Sequence, residues 1–119
     1  MSSKYLPIGY LENGYSNKCD VRYLLEFAQD IAASLAPMKR SDFRSLYRLI
    51  DSESGYGRDF DRQRMAVARL VPMAHDLVRS GRAPNVLIDF AVANAEAITS
   101  PADYGCFRNH MEAIYCYMP

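Results

Sequence analysis

The chain has no tryptophan, only two histidines and only three cysteines. The cysteines, Cys19, Cys106 and Cys116, are odd in number, and no two have C-x-x-C spacing. That argues against a disulfide framework and against a zinc knuckle, and it predicts reduced, buried thiols in a cytoplasmic protein. There is no apolar run long enough to cross a bilayer, so no membrane partner is expected. The segment Met1–Tyr15 is polar and tyrosine-rich, lacks an apolar h-region, and does not read as a secretory signal. Internal repeats, low-complexity tracts and alternating strand patterns are absent. Net charge is lacking as well: fourteen basic residues balance fourteen acidic ones, so no global field marks a nucleic-acid or membrane protein.

What remains is 119 residues, half of them apolar and 24% charged. This is enough for one domain with its own core and too little for two. Residues 1–19 read as an N-terminal arm punctuated by Pro7, Gly9 and the turn dipeptide Asn13-Gly14. Asp20 is a good N-cap. Val21, Leu24, Leu25, Ala28, Ile31, Ala32 and Leu35 then follow one helical face up to Pro37. A second helix should begin at Ser41 with Phe43, Leu46, Tyr47 and Ile50 inward. The stretch Asp51–Gly57 reads as a loop.

A third helix is predicted over about 58–79, with Pro72 kinking or dividing it. Gly81 and Pro84 mark the next break. A fourth helix carries Leu87, Phe90, Ala91, Asn94, Ala97 and Ile98. Ser100-Pro101 opens a fifth, with Tyr104, Phe107, Met111, Ile114, Tyr115 and Met118. The fold class is all-α: an N-terminal arm, then a compact bundle of about five helices over 20–119.

The zero net charge conceals a pattern. Residues 1–38 carry three basic and four acidic groups, a net of −1. Residues 39–82 carry ten basic and six acidic groups, a net of +4. Residues 83–119 carry one basic and four acidic groups, a net of −3. Eleven of the fourteen cations are arginine, whose planar fork suits phosphate as ammonium does not. Arg40, Arg44 and Arg48 lie four apart and form one stripe on the second helix. Arg58, Arg62 and Arg69 form another on the third. Like charges at that spacing repel by a few tenths of a kcal/mol per pair, so the pattern invites either a polyanion or neighbouring carboxylates. Asp42, Asp51, Asp59 and Asp61 are the carboxylates near enough in sequence to make it an ordinary solvated surface.

Catalytic constellations are weak. Cys106 and His110 lie four apart on the fifth helix, where a nucleophile–base pair competes with a buried thiol beside a surface histidine. Asp59 and Asp61 suit a cation less well than the first turn of a helix. The loop Ser54-Gly55-Tyr56-Gly57 lacks the Gly-Lys-Ser/Thr ending of a phosphate loop. No metal or cofactor is expected, nor catalysis. Of the nine tyrosines, Tyr5, Tyr10, Tyr15 and Tyr56 fall in arm or loop, available to stack on bases or anchor an interface. Tyr47, Tyr104 and Tyr115 fall on core faces.

Three segments carry a family resemblance. They are Gly9–Gly14 with the helix from Leu24 to Leu35, the run Ser41-Asp42-Phe43-Arg44-Ser45-Leu46-Tyr47, and Phe107–Tyr117 with its Glu112-Ala113. A proline-containing segment, Leu70–His75, lies between them. In this order the chain resembles the small subunit of the type III-A CRISPR effector, the Csm complex. The resemblance implies a non-catalytic all-helical subunit in antiviral defence. Copies of it would stack along guide RNA and target RNA, touching the backbone beside other Csm subunits. Lys39, Arg40, Arg44, Arg48, Arg58, Arg62, Arg69 and Arg79 are the residues expected to neutralise phosphates, and the acidic ends, with Glu96, Asp103 and Glu112, to meet neighbours.

Overall fold

The computed structural model describes residues 5–15, 20–55 and 57–119; expectations placed on Cys19 and Tyr56 lie outside these. Five helices make the body: α1 Glu26–Ser34, α2 Arg40–Ser52, α3 Phe60–Arg79, α4 Val86–Ala97 and α5 Pro101–Tyr117. A four-residue strand, β1 Glu12–Tyr15, precedes them. The all-α class stands. No helix among the described residues is long and apolar enough to cross a membrane.

The α2 and α5 faces are buried as their spacing predicts. Phe43, Leu46 and Ile50 face inward on α2, and Tyr104, Phe107, Met111 and Ile114 do so on α5. The Ser100 side chain accepts the Asp103 N–H, as a cap preceding Pro101 should. The Tyr104 hydroxyl donates to the Ile50 carbonyl and ties α5 to the end of α2. Tyr47 and Tyr115, expected in the core, are half-buried at its edge.

One helix expectation is corrected, and of the two alternatives at Pro72 one is excluded. The first helix does not run from Asp20. Asp20 caps a single 3₁₀ turn, Val21–Tyr23, and α1 starts only at Glu26. The buried set is Tyr23, Phe27, Ala28, Ile31, Ala32 and Leu35, while Val21, Leu24 and Leu25 remain exposed at 64%, 41% and 53%. Tyr23 and Phe27 take the inner positions ahead of Ala28, where their rings join the core. Nor is α3 divided at Pro72: one helix runs through it. Pro72 and Ala68 both face solvent, so water can take up the carbonyl that Pro72 leaves without a donor.

The segment 5–15 is not a projecting arm. Tyr15 is 2% exposed and sits in the core. Tyr10 packs against Tyr23, Phe27, Phe90 and His110, with ring centroids 5.6 to 6.4 Å away. Asn13-Gly14, expected as a turn, lies inside β1, with Gly14 in the left-handed region at φ +64° that a side chain would strain.

The expectation of three reduced thiols is also corrected. Cys106 is buried and disulfide-bonded. Cys116 is free and exposed. Alkylation of the folded, unreduced protein should therefore label Cys116 and spare Cys106, read by peptide mass mapping. Labelling of Cys106 without reductant would contradict the bond.

Candidate functional site

The α2 stripe forms as predicted. Arg40, Arg44 and Arg48 are all exposed, each about 40° further round the helix than the last. They lie on the flank of α2 that carries Tyr47 and borders α5. The opposite flank, with Asp42 and Leu46, borders α3. Lys39 stands exposed at the N-cap of α2, where no side chain closes the helix end.

Three of the four carboxylates that would make this an ordinary surface are committed elsewhere. Asp42 pairs with Arg82 across the α3–α4 connection. Asp51 pairs with Arg108 at 2.9 Å, and Glu53 with Arg62 at 3.3 Å. Asp59 caps α3 by accepting the Asp61 N–H at 2.9 Å, which fulfils the first-turn reading of that acidic pair. Among the described residues, no carboxylate lies within ion-pair distance of Arg40, Arg44 or Arg48.

The other predicted cations do not join this stripe. Arg58 is exposed ahead of α3. Arg62 and Arg69, seven apart, share one row of α3 with Asp76, and Arg62 is partly neutralised by Glu53. Arg79 is exposed about 80° away from that row. Between α2 and α3 lies a groove of about 430 Å³ whose lining includes Asp42, Leu46, Met73, Asp76, Leu77 and Arg82. None of the eight residues lines it. Lys39 lines a second groove, of about 400 Å³, with Pro37, Ser41, Asp42, Gly81, Arg82 and Ala83, and the other seven line neither groove.

Sequence reasoning missed the groups that hold Arg40 and Arg108. Arg40 lies over the Tyr115 ring, its guanidinium carbon 3.9 Å from the centroid. Tyr115 stacks on Tyr47, and Arg108 donates to the Tyr47 hydroxyl at 2.7 Å. Burial, helped by a hydrogen bond donated to Glu112 at 3.0 Å, pushes the Tyr47 hydroxyl up to about 12. These partners are some sixty residues or more apart in the chain, and no local spacing announces them. Two acidic residues expected to face neighbours are also spoken for. Asp103 is buried and accepts the Thr99 N–H at 3.0 Å, and Glu112 pairs with Arg108 at 3.1 Å.

The weak catalytic pair is dismantled. Cys106 is in a disulfide, and His110, expected at the surface, is fully buried. Its Nδ1 lies 2.6 Å from the Tyr23 carbonyl and its Nε2 2.8 Å from the Tyr10 hydroxyl. A carbonyl only accepts, so Nδ1 carries the proton and Nε2 accepts from Tyr10. Burial lowers the imidazole to about 4. No group of three or more metal-ligating side chains occurs among the described residues. Set against protein-family models, curated proteins and solved structures, the chain matches none.

Proposed function

We propose that this chain is a non-catalytic RNA-backbone-binding subunit, the small subunit of a type III-A CRISPR effector. It would line guide and target RNA alongside further copies and other Csm subunits. One observation carries the RNA-binding part. Three arginines form an exposed row on α2, and Asp42 and Asp51, the acids on the same helix, are bound to other cations. An unneutralised guanidinium row costs self-repulsion, and a phosphate backbone removes that cost. The family assignment rests on the resemblance of the three segments, with which an all-helical body agrees. The proposed setting is the cytoplasm.

Contacts to phosphate are sequence-tolerant and salt-sensitive. Arg44→Glu with Arg48→Glu should weaken binding of a labelled oligouridine about tenfold. It should also lower the salt slope by about 1.4, the equivalent of two single-strand phosphate contacts. Fluorescence anisotropy across a salt series reads both, with circular dichroism verifying helicity. Wild-type affinity with an unchanged slope would sink the RNA face.

A second reading, a helical interaction module without RNA, is favoured by the exposed apolar cluster Val21, Leu24 and Leu25. It predicts self-association by light scattering that neither nuclease nor the Arg44/Arg48 reversal disturbs.

A further inference from the structure

Arg40 differs from its neighbours in the stripe because it is held. Besides lying over Tyr115, its Nε donates to the Tyr115 carbonyl at 3.1 Å. The Tyr115 and Tyr47 rings are nearly parallel, with centroids 6.0 Å apart and planes at 10°. Beyond Tyr47, the Arg108 guanidinium lies 5.5 Å from the ring centroid. The four side chains make a ladder of guanidinium, ring, ring and guanidinium across α2 and α5.

The two ends of the ladder are chemically different. Asp51 at 2.9 Å and Glu112 at 3.1 Å close the Arg108 end, which is neutralised and internal to the fold. No carboxylate among the described residues lies within ion-pair distance of Arg40. Arg40 also opens α2, where the helix dipole disfavours a cation, so the Tyr115 face holds it in a place where it would otherwise be unwelcome. With Nε taken by the carbonyl, the Nη groups remain as its donors. A free arginine loses side-chain freedom when it binds, and one already stacked has lost much of it.

We propose that Tyr115 is a positioning residue that presents the Nη donors of Arg40 to a single phosphate of an RNA backbone. This rests on the RNA-binding reading above and adds to it a division of labour. Arg44 and Arg48 supply diffuse charge, and Arg40 supplies a fixed, oriented contact. Arg108 belongs to the scaffold of the ladder and touches no RNA.

The test uses the full chain and the labelled oligouridine. Tyr115→Ala should weaken binding about two- to fivefold, the equivalent of an exposed cation–π contact, and move the salt slope toward that of Arg40→Ala. Tyr115→Phe keeps both the ring and the backbone carbonyl and should bind as wild type. Tyr115→Leu fills the same site without a π face and should behave as Tyr115→Ala, which separates ring chemistry from packing. Combining Tyr115→Ala with Arg40→Ala should be no worse than Arg40→Ala alone.

Wild-type affinity for Tyr115→Ala, or losses that add in the double variant, would overturn the positioning role. If the Arg44/Arg48 reversal also bound as wild type, the RNA reading itself would fall. If that reversal lost affinity while the Tyr115 and Arg40 variants did not, this inference alone would fall.

Discussion

Asn94→Ala is expected to cost the fold about 3 kcal/mol, the sum of one orphaned buried hydroxyl, lost hydrogen bonds and lost volume. Asn94 is fully buried on α4. Its Oδ1 accepts the Tyr15 hydroxyl, and its Nδ2 donates to the Tyr10 hydroxyl at 3.0 Å and to the Phe90 carbonyl at 2.9 Å. Removing the side chain leaves the Tyr10 hydroxyl with His110 and takes from the Tyr15 hydroxyl its Asn94 acceptor. Burial already holds the pKa values of both hydroxyls well above the ordinary tyrosine value.

Urea denaturation measures the loss, and a double-mutant cycle assigns it. Tyr15→Phe removes the orphan, so Asn94→Leu combined with Tyr15→Phe should be closer to wild type than Asn94→Leu alone by about 1 to 2 kcal/mol. Strict additivity of the two substitutions would contradict the bond between them.

The second large effect is acid lability. Unfolded, His110 titrates near the ordinary histidine value of about 6.5. Folded, burial depresses it to about 4. The unfolded state therefore binds more protons in the interval between these values, and stability falls as pH falls through it. The contribution is complete above about pH 6.5, and about 3 kcal/mol of it is gone by about pH 4, at 1.36 kcal/mol per pH unit.

The hydrogen-bond directions show why the imidazole resists a second proton. Nδ1–H already donates to the Tyr23 carbonyl. A protonated Nε2 would face the Tyr10 hydroxyl as a donor, and the other near partner of that hydroxyl, the Asn94 amide nitrogen, is a donor too. The groups packed on the ring are Tyr10, Tyr23 and Phe90, none of them an anion that would stabilise a cation. Urea midpoints measured from pH 7 to pH 4 should fall for the wild type and flatten over that interval in His110→Asn. Parallel slopes in the two proteins would assign the acid loss to other groups.

Both effects run through Tyr10 and Tyr15, in the segment that the sequence presents as an arm. Pro7, Gly9 and Asn13-Gly14 are genuine turn residues, and local reading stops there. The burial of Tyr15 depends on an acceptor about eighty residues away, so it has no local signature. The start of the first helix was misjudged for a related reason, although Ala28, Ile31, Ala32 and Leu35 are buried as their spacing predicts. Val21, Leu24 and Leu25 obey helical spacing, but the chain passes through a 3₁₀ turn, and the larger rings of Tyr23 and Phe27 take the inside. Where spacing and volume agree, as at Phe43, Leu46 and Ile50 on α2, the sequence was sufficient.

The candidate site divides along the same line. The arginine stripe on α2 is a local fact, fixed by a spacing of four on a helix whose inner face is unambiguous. Its lack of neutralising partners is not local. It follows from Asp42 turning to Arg82, Asp51 to Arg108 and Glu53 to Arg62, choices made by how α2, α3 and α5 lie together. The small counts of cysteine and histidine misled in the same way. An odd number of cysteines suggested free thiols, yet Cys106 is bonded, and a lone histidine four residues on is a buried acceptor.

By itself the sequence determined an all-helical body, most of its breaks, two of its buried faces and the row of three arginines. Each follows from interactions within a few residues. Only the tertiary structure decided that the N-terminal segment belongs to the core, that His110 is neutral and enclosed, and that Arg40 stands on Tyr115 while Arg108 is neutralised. Those outcomes depend on hydrogen bonds and ring contacts between elements distant in the chain, and their partners exist only once the helices have packed.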